Sequence, residues 1–279
     1  MRIAYCGYDF FYSCFEELLS QEHETLAIFS FPCDNEYDFN LRLETSAEKL
    51  GVPFYKEPIS PTDINRLSAQ KCDLIVAAAY PYKIPSHEGI PFAINVHPTL
   101  LPEGRGRWPL PWIILKGLTE SGTTIHKISH DWDSGDILTK KKFKVTEEDN
   151  LETISVKSQI AAKEALGELL AHFEEHWESA VPQEEGSVWP FPIASDRTIV
   201  WEQSYIEIDR MIRAYGKFES YAKFNDRKWL IQDAICWPEN HSHTPGTVVH
   251  KTDRELVIAC KDGLVCLRHF REDLDSRVP

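Results

Sequence analysis

The first hundred residues alternate short, dense apolar runs with amphipathic stretches, and no other property of the chain narrows its fold as much. Ile3–Tyr5, Leu26–Phe31, Leu74–Ala79 and Ala93–Val96 are compact and apolar, as strands buried on both faces of a parallel sheet must be. Between them, Phe15–Leu19, Phe39–Leu50 and Asp63–Ser68 carry helical spacing or helix-forming residues. Strand and helix in turn imply right-handed βαβ units and an open α/β sheet.

Further along, Leu151, Ile154, Ala161, Ala165, Leu169, Phe173 and Trp177 recur at helical steps, which predicts one long amphipathic helix over Leu151–Trp177 packed on the sheet. Pro182, Gly186, Pro190 and Pro192 cannot continue it, so a linker is expected there. Beyond it, Ser204–Tyr215 reads as a helix, and Lys228–Ile231, Gly246–Val249, Leu256–Cys260 and Leu264–Arg268 read as short strands between turns. At 279 residues and roughly 100–200 residues per domain, the expected division is a Rossmann-like catalytic domain over 1–185, a linker over 186–200, and a small β-rich C-terminal domain over 201–279.

Charge and cysteine usage exclude several classes. A net charge of −14 repels phosphate backbones and anionic lipid unless a basic patch is hidden in it, so neither nucleic acid nor a membrane is an expected partner. The seven cysteines are scattered, with no C-x-x-C, so neither a disulfide framework nor a zinc knuckle is indicated and a reducing compartment fits. Met1 to Tyr5 leads directly into an apolar strand without a signal-peptide pattern, and no apolar run approaches the roughly 20 residues of a membrane helix. The expected location is the cytoplasm. The apolar segments near the C-terminus suggest a homodimer.

Ligands of open α/β sheets bind beyond the carboxyl ends of the strands, here after Tyr5, Ala79 and Val96. The first of these positions offers a single glycine, Gly7, not the glycine series of a dinucleotide fingerprint, but it is rich in aromatics. Tyr8, Phe10 and Phe11 are candidates to stack on a base or line a sugar pocket, or are simply core. The third position is more informative. Asn95 and His97, two apart on a strand, point to one side, joining an amide donor to an imidazole. That pair suits acyl transfer, in which an amide stabilises a tetrahedral oxyanion and an imidazole accepts a proton; it also suits a satisfied Asn and His at the end of a core strand. A later turn, Ser129 to Leu138, holds Asp131, Asp133 and Asp136. One of these carboxylates reaching the imidazole would orient it and raise its basicity. Lys83, Arg105 and Arg107 are the nearby candidate cations for an anionic substrate.

The run Asn95-Val96-His97-Pro98-Thr99-Leu100-Leu101-Pro102 with Arg105-Gly106 and Pro109, then Gly117, Gly122-Thr123-Thr124-Ile125-His126, then Asp133-Ser134-Gly135-Asp136-Ile137, resembles the core signature of the folate-dependent formyltransferases. Trp201-Glu202, Asp209 to Tyr215, Pro245-Gly246-Thr247-Val248 and Ala259-Cys260-Lys261-Asp262-Gly263 resemble the C-terminal domain of the two-domain members. The resemblance implies N10-formyltetrahydrofolate as co-substrate and no metal. It maps the catalytic set onto Asn95, His97 and Asp133, and assigns the pterin to the loop containing Tyr80, Tyr82, Ile84 and Pro85. Glu103-Gly104 before Arg105 departs from the bulkier basic or aromatic residue of many relatives.

Within that family, charge separates the acceptors. The stretch Pro32–Leu50, where relatives that bind tRNA carry a basic loop, holds Asp34, Glu36, Asp38, Glu44 and Glu48 against Arg42 and Lys49. That is the wrong sign for neutralising RNA phosphates. The expected acceptor is therefore a nucleotide-linked amino sugar, such as a dTDP-linked amino-dideoxyhexose destined for O-antigen, lipopolysaccharide or another surface polysaccharide. The alternatives are formylation of methionyl-tRNA, hydrolysis of the formyl folate, and a nucleotide-binding module without turnover.

Overall fold

The computed structural model describes residues 1–253 and 255–273. In chain order the elements are β1 (Arg2–Gly7), α1 (Tyr12–Ser20), β2 (Glu24–Phe29), α2 (Leu41–Leu50), β3 (Phe54–Tyr55), α3 (Pro61–Ala69), β4 (Leu74–Ala78), β5 (Phe92–His97), α4 (Leu110–Leu115), β6 (Glu120–Lys127) and β7 (Ile137–Lys144). There follow α5 (Leu151–Ala171), α6 (Phe173–Glu178), α7 (Tyr205–Tyr215), β8 (Ser220–Phe224), β9 (Arg227–Pro238), β10 (Val248–Lys251), β11 (Leu256–Ala259) and β12 (Gly263–Glu272). Two compact units result. The first comprises Met1–Arg107, Glu120–Lys144 and Val156–Trp189, and the second Trp108–Thr119, Val145–Ser155 and Pro190–Pro279.

The first unit is built on a seven-stranded sheet of order β3-β2-β1-β4-β5-β6-β7. Strands β1 to β5 pair in parallel, forming the expected Rossmann-like half. The sheet is nevertheless mixed, because β6 and β7 extend it antiparallel to β5. Side chains alternate between two buried clusters: Ile3, Tyr5, Val76, Ile94 and Val96 lie in one, and Ala4, Cys6, Ile75, Ala77 and Ala93 in the other. This burial on both faces is why the strands read as unbroken apolar runs. The outer strand β7 exposes Lys140, Lys142 and Lys144, charges that discourage pairing of another chain to the free edge.

Local signals set the helix ends. Ser60 and Asp63 form a capping box with Pro61 in the first turn of α3. Asp9 accepts hydrogen bonds from the Arg42 and Leu43 amides, so a side chain from beyond β1 satisfies the otherwise unpaired start of α2. The single helix expected over Leu151–Trp177 is instead two, interrupted at His172. The break brings Phe173 and Trp177 around Phe92, with ring centroids 4.9 and 4.8 Å away.

The second unit carries an antiparallel sheet of order β10-β11-β12-β9-β8, the β-rich domain the sequence implies. Helix α7 starts at a Ser204–Glu207 capping box and buries Ile208, Met211, Ile212 and Tyr215. Trp108 packs against Phe218 and Phe191 at 4.9 and 5.7 Å, so this unit draws on residues from the middle of the chain. Residues 186–189, expected in a linker, lie in the first unit. There, Ser187 accepts the Gly104 and Arg105 amides, and Trp189 donates to the Arg105 carbonyl. All seven cysteines are free.

Candidate active site

The carboxyl ends of β4 and β5 border a cavity of about 440 Å³ in the first unit. Tyr80, Tyr82, Lys83, Ile84 and Pro85 line it from the loop after β4, Asn95 from β5, His126 from β6, and Ile128 to Asp133 from the following turn. The cavity thus combines apolar surfaces from Ile84, Pro85, Ile128 and Trp132 with an amide, an imidazole and a carboxylate. A second depression, beside α1 and α5, is lined by Ser13, Glu17, Gln159, Lys163 and neighbours and includes none of the predicted site residues.

Asn95, His97 and Asp133 come together, although Asp133 lies far along the chain. Asn95 Nδ2 donates to Asp133 Oδ1 at 3.3 Å, and His97 Nδ1 lies 3.4 Å from the same oxygen. The loop after β5 completes the set: Gly106 donates its N–H to Asp133 Oδ2 at 2.9 Å, and the Gly104 carbonyl accepts from His97 Nε2 at 2.8 Å. His97 is buried, is not among the residues lining the cavity, and has both ring nitrogens engaged. Its Nδ1 faces the Asp133 carboxylate, which makes the ring a partner for that group.

Burial pushes the Asp133 carboxyl up, but the opposing pull of His97 and the Gly106 amide is stronger and holds it well below the usual carboxylate range. Asp133 is therefore a buried, ionised acceptor. Its backbone is left-handed, with φ 54°, which Asp tolerates better than most residues. Gln183 holds that conformation by donating to the carbonyls of Asp133 and Gly135 at 2.9 and 2.8 Å. Gln183 Oε1 in turn accepts two bonds from the Arg105 guanidinium.

Several expected ligand contacts are placed elsewhere. Arg105 is committed to Gln183 and the Glu184 carbonyl, making it a brace for the site. Phe11 is fully buried in the core. Tyr8 faces Phe10 and Phe31 at 6.0 and 5.2 Å, and burial pushes its hydroxyl up; neither Tyr8 nor Phe10 lines the cavity. Arg107 is exposed and also lies outside the lining. Lys83 stands at the rim, donating to the His130 carbonyl and lying 5.7 Å from the centre of the half-exposed Trp132 ring. The Tyr80 hydroxyl accepts from the Ile59 amide, which fixes one wall.

Two residues have a part in the site that the sequence alone does not assign to them. His126 is the cross-strand partner of Asn95, with Nε2 3.0 Å from Asn95 Nδ2; a histidine in an apolar strand was the available signal, but its register was not. Gln183 gave no signal, because its partners are fifty residues away.

A family model described as Formyl transferase matches residues 56–170, and one described as Formyl transferase, C-terminal domain matches residues 193–276. Together they take up more than half of the chain. The chain belongs to the formyltransferase family. Among relatives of this formyltransferase, the methionyl-tRNA formyltransferase of Staphylococcus aureus is 29% identical, the alignment covering 94% of this chain and 88% of the relative. Two solved structures are similar in fold. The N-formyltransferase from Helicobacter canadensis, described in complex with folinic acid and dTDP-3-aminofucose, has a TM-score of 0.74 at 16% identity, over 96% of this chain and 99% of that one. HypX from Aquifex aeolicus, described in complex with tetrahydrofolic acid, has a TM-score of 0.71 at 24% identity; the match covers 98% of this chain but only 44% of HypX. Among the described residues, no group of acidic, histidine or cysteine side chains is arranged to hold a metal ion, and no helix is long and apolar enough to cross a membrane.

Proposed function

We propose that this formyltransferase moves the formyl group of N10-formyltetrahydrofolate onto the amino group of a nucleotide-linked amino sugar. The observation that carries the donor half is the cavity shared by Asn95 and Asp133 with the Tyr80–Pro85 loop. Its apolar walls suit a flat heterocycle, and its polar groups converge where the formyl carbon would sit. The folate ligands named for HypX and the Helicobacter enzyme support the same reading.

In the proposed reaction the acceptor nitrogen attacks the formyl carbon, and a C–N bond forms as the carbonyl electron pair moves to oxygen. Asn95 donates an amide N–H to that oxyanion. Ionised Asp133, paired with His97, accepts a hydrogen bond from the attacking amine and steers its departing proton toward N10. Collapse breaks the bond to N10, which takes up a proton, giving the formamide and tetrahydrofolate. The protein's main contribution is to bring amine and formyl carbon together in one orientation.

Charge supports the sugar nucleotide as acceptor. The Pro32–Leu50 stretch is acidic, and a single rim cation such as Lys83 serves a small anionic ligand better than an RNA backbone. The 29% identity to a methionyl-tRNA formyltransferase favours the second reading, transfer to the amino acid of charged initiator tRNA. Formyl transfer to a panel of amino sugar nucleotides, with charged tRNA and no acceptor as parallel arms, distinguishes them. Product on a sugar amine supports the proposal; product on tRNA alone replaces it, and formate without acceptor identifies a hydrolase.

A further inference from the structure

We propose that His126 is a positioning residue that sets which N–H of Asn95 meets the formyl oxygen, an inference that rests on the formyl-transfer reading above. The two side chains are paired directly across β5 and β6, and His126 is only 2% exposed. His126 Nδ1 lies 2.8 Å from the Lys127 carbonyl oxygen. A carbonyl can only accept, so Nδ1 carries the proton, and in the neutral ring Nε2 is left as a bare acceptor.

Asn95 Nδ2 lies 3.0 Å from that acceptor and 3.3 Å from Asp133 Oδ1. The opposite amide orientation would set the Asn95 oxygen against a bare nitrogen and an ionised carboxylate at once, three acceptors without a proton among them. One orientation therefore satisfies the group: nitrogen toward His126 and Asp133, with both N–H bonds used. The bond to His126 is the shorter. The longer one, to Asp133, is the one exchanged for the formyl oxygen when that carboxylate turns to the amine proton. His126 keeps the other N–H throughout and prevents the amide from flipping as the partner changes.

Two measurements on the full chain test this. In protein labelled with ¹⁵N-histidine, the His126 ring is expected to show a protonated Nδ1 and an unprotonated Nε2. This readout needs no turnover. In kinetics, His126→Leu removes the acceptor, and His126→Gln keeps one at the end of a similar reach. Mispositioning of a reacting group by about 1 Å costs on the order of 10²-fold, so His126→Leu is expected to lower kcat by about 10–100-fold while KM for the formyl donor changes by less than about twofold. His126→Gln is expected to recover most of that loss. A protonated Nε2 in the wild-type protein overturns the inference, as does equal kcat in the Leu and Gln variants. Should the Leu variant not fold, the wild-type spectrum and a Gln variant with near-normal kcat still support it, and a Gln variant as slow as Asn95→Ala overturns it. Absence of formyl transfer by the wild-type protein to any amine would instead remove the functional reading, whatever the tautomer.

Discussion

Gly106 donates its backbone N–H to Asp133 Oδ2 at 2.9 Å from a conformation, φ 130°, that only glycine adopts readily. A Cβ at this position would stand 2.4 Å from the Trp189 carbonyl oxygen. The loop that supports the carboxylate is thus closed by a strap that tolerates no side chain.

Gly106→Ala is expected to cost about 1–3 kcal/mol of stability through strain at this position and to lower turnover by withdrawing a donor from Asp133. Chemical denaturation and a formyl-transfer assay check the two effects. Unchanged values in both would mean that the contact between Gly106 and Asp133 does not matter.

Asn95→Ala and Asp133→Ala are expected to lower kcat by about 10²–10³ each, the usual scale for losing an oxyanion donor or comparable charge stabilisation. Circular dichroism should show the fold retained. His97→Ala is expected to lower kcat less than either, because the ring acts through Asp133. A larger loss for His97→Ala than for Asp133→Ala would place the imidazole in the chemistry itself.

The depressed carboxyl of Asp133 also has a stability consequence. A folded-state value below that of the unfolded chain contributes stability above pH roughly 4, and the contribution fades as pH falls toward the folded value. The stability difference between wild type and Asp133→Asn is therefore expected to be largest near neutrality and to shrink below pH about 4. Urea denaturation across pH measures it; a difference that grows on acidification contradicts the assignment.

The sequence carried the parallel strands because each is apolar on both faces, and it carried the shared face of Asn95 and His97 because a strand repeats every two residues. What it did not carry depends on distant partners. The two-residue strand β3 is too short to show a period and is defined by its pairing to β2, and the register of β9 against β12 shifts at Leu267 and His269, blurring alternation along both. His126 acquires its place from cross-strand register, and Arg105 loses its expected ligand to Gln183. Phe11 reads equally as a ligand contact or as core, because the turn after β1 looks the same on paper whether its ring points out or into the core.

Gln183 is the position where structure adds most to sequence. Replacing it with Leu removes its donors to the Asp133 and Gly135 carbonyls and its acceptor for Arg105. The Asp133 backbone then keeps its left-handed conformation without that support. We expect kcat to fall by roughly tenfold or more, as for a reacting group held loosely, with donor binding little changed. Parallel measurement of kcat and of folate binding by fluorescence separates the two; weakened binding at unchanged kcat would contradict the role.

Transfer of a formyl group from N10-formyltetrahydrofolate to the amine of a nucleotide-linked sugar is read out by mass analysis of the acceptor after incubation with purified protein. The expected product is a sugar nucleotide heavier by one formyl group in place of an amine hydrogen, formed with wild-type protein and strongly reduced with Asn95→Ala. Formylated methionyl-tRNA with every sugar nucleotide unmodified would contradict it.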